Sequence, residues 1–575
     1  MTKINKNTKV VLDSKGVITL RPSDHIATGG EGSVYRKSKT IIKLYENPRR
    51  MTDENLVAKI KLLSKFKHEF VVSPGGIVSD KRGNPIGFHM PFVKGEALSR
   101  IFTNDFRTRN RFGDSEACTL VDGMREAVQF AHSKGAVMVD ANEFNWLVKL
   151  GRKKVPELRI IDVDSWAVGQ WGASVVMPSI RDWSTKDFNQ KTDWFAWGIV
   201  TFQVFTGIHP YKGRLKGYKP FDLKKRMQDN ASVFRSGVRL NRAVRDFGAI
   251  PGPLLDWYVA TFEKGNRTLP PSPFDTGAGL AQVGRVLRVV NTDSGSLIFD
   301  LLYKGETVEF IYPSGAVRTK TGKLIDLQSG SVITTNVTPN AEVVRVENGW
   351  LCADESVAGW EFYHVNSVSK EKTTLNSQVK FTRILRYENR LFGVGERGIT
   401  EIVVKIFSKP VLSFGNTWSV MVNSVKWFDG VGVQDAFGAV YLILPFGENK
   451  CAQVRVRELD GKKVVNARAG SRFATVIVLD KSGNYTKFEF SFGREYQNYK
   501  PWSRVTDSPN LNIAILPKGV CATIVEDGKL DIFVPSSATL NSVKDKDIST
   551  GLALTNWDNK VVYIKNGQVW QVRLK

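Results

Sequence analysis

IATGGEGSVYRKSKTIIKLY, residues 26–45, sets Gly29, Gly30 and Gly32 between two strand-like runs. Lacking a Cβ, glycine lets backbone N–H groups come close to phosphate oxygens. Lys43 follows in the alternating run IIKLY. A lysine on that strand can reach phosphates held under the loop. The glycine trio alone describes an ordinary hairpin with a surface lysine equally well. Loop, strand and lysine in register are more specific than the glycines.

Three further segments extend the pattern. AHSKGAVMVDANEFNWLV (131–148) reads as a helix end near His132, a turn at Lys134–Gly135, a short apolar run, then Asp140 and, five positions on, Asn145. That spacing suits an aspartate that accepts the proton of an attacking hydroxyl and an asparagine whose oxygen ligates Mg²⁺. A polar hairpin loop shares it. LRIIDVDSW (158–166) is an apolar strand that ends in Asp162 and Asp164. Carboxylates at a strand end are ligands that a hard, oxygen-seeking Mg²⁺ requires, although a turn with two acidic residues reads alike. KTDWFAWGIVTFQVFTGIHPY (191–211) reads as an apolar helix capped by Thr192 and Asp193 and stopped by Gly207 and Pro210.

The four segments follow one another at consistent separations. In that conjunction, residues from about 20 to 270 resemble a eukaryotic-like serine/threonine protein kinase domain of the divergent bacterial and phage branch, whose magnesium segment reads Asp-x-Asp-Ser. The resemblance implies an α+β bilobal fold, with an N-lobe over 1–95 and a C-lobe over 96–267. It implies ATP and Mg²⁺ as cofactors and the following roles. Gly30, Glu31, Gly32 and Ser33 cover the phosphates, and Val34 packs on adenine. Lys43 pairs with the α- and β-phosphates, with Glu54 in TDENLVAKIKLL (52–63) as its carboxylate partner. Met90, Phe92 and Val93, in GFHMPFV (87–93), belong to the adenine hinge. Asp140 is the catalytic base, Asn145 and Asp162 bind Mg²⁺, and Asp193 supports the loop that carries Asp140. The sequence also departs from the family. Met138-Val139 stands where the family has His-Arg, which argues against control by an activation-loop phosphate. Asn142 stands in place of a lysine that helps hold the γ-phosphate, Asp164 in place of a glycine, and MPSIRDW (177–183) in place of Ala-Pro-Glu. Ser165, Ser174, Ser179, Ser184 and Thr185 are candidate autophosphorylation sites.

Residues 281–575 change character. Short alternating or β-branched runs recur between Gly, Asn and Asp, among them AEVVRV (341–346), AVYLILPF (439–446), FATVIVLD (473–480) and KVVYIK (560–565). KSGNYTKFEF (481–490), EDGKLDIFV (526–534) and KNGQVWQVRL (565–574) each place a glycine turn before a strand, about 40 residues apart, the length of a four-stranded propeller blade. The expectation is an all-β domain, a six- or seven-bladed propeller in preference to a pair of β-sandwiches. It would act as an interaction domain that docks a protein substrate or partner. TLPPSPFDTGAG, within a linker over 268–280, joins the halves. Trp350, Trp360, Trp427, Trp502 and Trp557 read as core positions ahead of partner anchors, and His364 as structural.

The chain has 575 residues and a net charge of +25, with +17 in residues 1–275. A hydrophobic content of 42% excludes global disorder. No apolar run is long enough to span a membrane, and the N-terminus lacks a signal-peptide core, so a cytoplasmic protein without a membrane partner is expected. Cys118, Cys352, Cys451 and Cys521 are isolated, which argues against zinc or disulfides. Residues 211–245 hold 11 basic and 2 acidic side chains, a candidate surface for nucleic acid or an acidic partner. The leading reading is an active kinase. The alternatives are a nucleotide-binding pseudokinase scaffold and a basic, nucleic-acid-associated structural protein.

Overall fold

A computed structural model describes residues 6–574 except 14, 151–154, 174–175, 220–221, 242, 276–296, 357–358, 378, 447–449, 481, 497, 526–527, 536–538, 546 and 550. Ser174, the end of the expected linker and residues 281–296 therefore lie outside the described residues. The fold is rich in small antiparallel sheets, with few helices. Among the described residues no helix is long and apolar enough to cross a membrane. The four cysteines are unpaired.

Seven strands near the N-terminus form one antiparallel sheet, in the spatial order Gly16–Leu20, Thr8–Leu12, Gly76–Ser79, Pro85–Pro91, Thr40–Tyr45, Gly32–Lys37 and His25–Thr28. The period of two divides the strand Thr40–Tyr45 between two environments. Ile42 and Leu44 pack with Val10, Leu12 and Leu20 on one face. Tyr45 packs on the other with Met51, Ile60 and Phe88, under the helix Leu56–Leu63. Lys43 shares that second face.

The helices Asp114–Ser133, Gln190–Thr206 and Gly252–Phe262 build the core that follows. Every residue from Thr192 to Thr206 is buried. A helix apolar all round belongs inside a fold, and its last carbonyls then need partners other than water. Arg245 supplies them by donating to the carbonyls of Gln203, Val204 and Phe205. The helix is capped by Asn189, whose side chain accepts from the N–H groups of Lys191 and Thr192. This corrects the expected cap at Thr192/Asp193 and frees the Asp193 carboxylate for another use.

From Leu297 onward the described residues form seven four-stranded antiparallel sheets. Six are runs of four consecutive strands. In the seventh, Leu297–Tyr303 pairs with Gln568–Leu574, next to Lys560–Lys565 and Leu554–Trp557. The quoted β runs all fall on strands. Trp350 and Trp427 are buried, and so is His364.

The two halves share an apolar core. Phe473–Leu479 is buried at every position. Its even residues, Ala474, Val476 and Val478, pack within the second half, whereas Phe473, Ile477 and Leu479 join the cluster built on the helices. At the next turn Gly483 has φ +82°, and a Cβ there would lie 2.2 Å from Cβ of Ser179 and 3.0 Å from Leu223. Gly483→Val is expected to destabilise the full chain by about 2–4 kcal/mol, through left-handed strain plus overpacking. A thermal-unfolding midpoint equal to that of the wild type would remove this account of the joint.

Candidate active site

The glycine loop is tied into the sheet. Gly29 donates its N–H to the Gly32 carbonyl, and Glu46 donates to that of Glu31. A Cβ on Gly32 would lie 2.1 Å from the Leu44 carbonyl oxygen, so this strand crossing requires glycine. Ser33 is buried, and Val34 pairs with Lys43 across the ladder. Lys43 also pairs with Phe88, and Ile41 with Met90. Phe92 donates its N–H to the Lys39 carbonyl, and the Arg36 guanidinium lies 3.6 Å from its ring centroid. Val93 follows, half-buried.

Lys43 projects its ammonium between two carboxylates, 2.8 Å from Asp162 Oδ1 and 2.8 Å from Asp164 Oδ2. Glu31 Oε2 lies 3.7 Å away. Burial favours the neutral amine, but Asp162 and Asp164 outweigh it and hold the Lys43 pKa well above the ordinary lysine value. The carboxylates diverge. Burial raises both, yet for Asp162 the Lys43 charge and hydrogen bond prevail and the pKa falls. For Asp164 burial and its acidic neighbour prevail and the pKa rises. Asp164 also accepts from the Tyr45 hydroxyl at 2.8 Å, and its carbonyl accepts from Lys59 at 2.7 Å.

Glu54 does not meet Lys43. It pairs with Arg50 one helical turn away, at 2.7 Å, with 48% of its side chain exposed. The helix Leu56–Leu63 turns Lys59 toward the site, and a carboxylate from Asp-x-Asp takes the place expected for Glu54. Asp164, buried, was missed as the partner. The two aspartates lie past the strand Glu157–Ile160, where left-handed Asp162 and the turn Val163–Ser165 bring both carboxylates to Lys43.

Asp193 fixes the loop 138–145. Its carboxylate accepts from the N–H of Met138 at 2.7 Å and of Val139 at 2.9 Å, and it lies 2.9 Å from His132 Nε2. Val139 is held at φ +62°, a strained value for a β-branched residue. Asp140 Oδ1 accepts from the Met177 N–H, and its Oδ2 accepts from the Asn142 side chain. Asn145 donates its amide to the Asp140 carbonyl at 2.7 Å, so its oxygen is left to act as a donor atom. The Asn145 carbonyl accepts from the Ile161 N–H, which brings Asp162 alongside. Lys43, Asp162, Asn145 and Asp140 therefore lie along one hydrogen-bonded path.

Asn145 and Asp162 offer one neutral and one anionic oxygen, a donor set suited to Mg²⁺ whose remaining ligands are phosphate and water. No group of three or more His, Cys, Asp or Glu positioned for a metal occurs among the described residues. A cavity of about 460 Å³ lies elsewhere, lined by Arg109, Arg386, Asp429 and Arg468.

MPSIRDW (177–183) is pinned to the helical core. Asp182 accepts from Arg267 Nη2 at 3.0 Å, and the buried His209 Nε2 lies 2.9 Å from the Ser179 carbonyl. Ser165 and Ser179 are buried, whereas Ser184 is exposed. In the basic segment, Arg226 donates to the carbonyls of Ala231, Lys212 and Gly213, Arg235 pairs with Glu263, and Lys212 lies 3.7 Å above the Tyr485 ring. Several of its charges are thus structural.

No protein-family model matches the chain. Over 183 residues, 30% of the chain, it is 24% identical to "cAMP-dependent protein kinase type 3" of Saccharomyces cerevisiae. The match spans 41% of that protein's length.

Two titrations follow. Burial raises the Asp140 pKa, against the Met177 N–H, Asn142 and Lys463, which lower it. The folded state then binds a proton that the unfolded state has released, so stability falls as pH rises through that window. Asp140→Asn keeps an acceptor for Met177, gives up the one for Asn142 and removes the buried charge. It is expected to raise the melting temperature at neutral pH, by a margin that shrinks on acidification through the raised pKa. An equal or lower midpoint at neutral pH would contradict this. Burial lowers the His209 pKa to about 3. The unfolded chain therefore takes up that proton first, and stability should fall by about 1.4 kcal/mol per pH unit below about 6.5. Urea titrations between neutral pH and pH 5 check this, and the His209→Gln variant should lose that part of the slope.

Proposed function

We propose that the first half is an ATP- and Mg²⁺-dependent serine/threonine protein kinase that transfers the γ-phosphate to a protein hydroxyl. The observation that carries this reading is the single path linking Lys43, Asp162, Asn145 and Asp140. The seven-stranded sheet would serve as the N-lobe and the helical core as the C-lobe. The partial likeness to a yeast cAMP-dependent protein kinase agrees with it.

In this reading the phosphates enter beneath residues 29–33, and their oxygens replace Glu31 beside Lys43. Asn145 and Asp162 would hold Mg²⁺, which would supply positive charge against that of the phosphates. Asp140 accepts the hydroxyl proton. Asp193 acts at one remove, by keeping the 138–145 backbone in place. Asp164 keeps Lys43 aimed from the side opposite the phosphates, the task usually given to a helical glutamate. The second half would be a seven-bladed propeller, closed by the pairing of Leu297–Tyr303 with Gln568–Leu574, and would recruit substrate or partner.

Phosphate transfer from labelled ATP with Mg²⁺, to the protein itself and to a generic basic protein, tests this. Asp140→Asn is expected to lower the rate by about 10²–10⁴-fold, the worth of a positioned base, and Lys43→Met to weaken nucleotide-dependent thermal stabilisation. Stabilisation by nucleotide without transfer in the wild type would favour a second reading, a nucleotide-binding scaffold. The observation behind that reading is that Asp162, Asp164 and Glu31 already surround Lys43.

A further inference from the structure

A transferring phosphoryl group gathers negative charge that the site must balance. Residues 138–145, MVDANEFN, contain no lysine or arginine, and position 142 is a neutral asparagine. Lys43 is already shared among Asp162, Asp164 and Glu31. A further cation reaches this loop from the second half. Lys463, the first residue of the strand Lys463–Gly470, lies with its ammonium 4.6 Å from the centroid of the Phe144 ring. Phe144 stands between Glu143 and Asn145, and its N–H is bonded to the Asn142 side chain.

The position of the strand is fixed by more than this contact. Val465 belongs to the core shared with the helices, and the Asn466 side chain accepts from Arg100 of the first half and donates to the Pro509 carbonyl. Lys463 itself is exposed and enters no ion pair among the described residues. The ammonium thus stands over the loop that joins Asp140 to Asn145 and is open to solvent.

We propose that Lys463 is a catalytic residue contributed by the β half, which binds the γ-phosphate during transfer. The inference rests on the kinase reading above. In the step, the acceptor hydroxyl oxygen bonds to the γ-phosphorus while the bond from phosphorus to the β,γ-bridging oxygen breaks. That bond's electrons leave on ADP, and the hydroxyl proton passes to Asp140. Lys463 keeps its own protons and contributes charge only. Transfer would then require the two halves to be docked, since neither holds the full set of charges.

The test uses the full chain, with single-turnover transfer from ATP and Mg²⁺ and separate dissociation constants for ATP and ADP. Lys463→Met is expected to slow transfer by about 10²-fold or more, as for other cations at the transferring phosphate, and to reduce the preference for ATP over ADP. ADP affinity and melting temperature should stay unchanged. Lys463→Arg should recover most of the rate, and Lys462→Met, whose lysine lies over Phe488, should match the wild type. If Asp140→Asn abolishes transfer while Lys463→Met leaves rate and nucleotide preference intact, the role of Lys463 is overturned and the kinase reading stands. Equal losses of ADP binding and melting temperature in Lys463→Met would overturn it in favour of a structural role. A wild type without transfer would overturn both.

Discussion

Asp193 sits on the first turn of a helix that is buried from Thr192 to Thr206, and its carboxylate meets two backbone N–H groups and a histidine ring. A carboxylate buried in that way is costly unless hydrogen bonds compensate it. Met138 and Val139 can supply theirs because Val139 adopts a left-handed conformation. The hydrogen bonds offset both the strain and the cost of burying the carboxylate, and the product is a loop of one shape. From it the order of the site follows: Asp140 is aimed by its own backbone, Asn145 clamps the Asp140 carbonyl, and the next hairpin presents Asp162 to Lys43.

The charges around Lys43 show how such a cluster is tolerated in a dry interior. One ammonium faces two carboxylates in contact and a third at greater distance. Two full negative charges so close would repel, and the opposite pKa shifts resolve this. Asp164, enclosed by Tyr45 and the sheet, tends toward its protonated form, while Asp162, 33% exposed, keeps the charge. An aspartate two residues beyond Asp162 can therefore position the lysine without a helical glutamate. The helix Leu56–Leu63 is then free to carry Lys59, which binds a backbone oxygen of the same segment.

Much of this was legible in the chain. The glycine loop, Lys43, the spacing from Asp140 to Asn145 and the Asp-x-Asp segment are local patterns, although the contact of Lys43 with Asp162 spans 119 residues. The β half was legible as strands because period two and glycine turns are local as well. Pairings between distant segments were not. Glu54 was expected to meet Lys43 from a helix over 52–63, but it falls between the helices Arg50–Asp53 and Leu56–Leu63. That expectation ignored Arg50, four residues earlier and on the same helical face, which captures it. The basic segment misled for a related reason. A composition count cannot tell a solvated arginine from one such as Arg226 or Arg245, whose donors satisfy backbone carbonyls. Lys463 belongs to a different half of the chain, and no spacing in the sequence announces that it overhangs Phe144.

That last placement depends on how the halves are joined. A strand buried on both faces has no free side to present to a mobile neighbour, and Phe473–Leu479 gives one face to each half. Separating the halves would expose Phe473, Ile477 and Leu479, along with the helical residues they cover, to water. Apolar area of that kind resists exposure in proportion to its size. Interfaces between loosely tethered domains are smaller and more polar. Polar contacts such as Asn104 N–H to Asn510 and Arg383 to Glu96 then set the register of a joint whose strength is apolar. A joint of that type holds a long, flexible lysine within reach of one loop, and it makes the β half a fixed wall of the site.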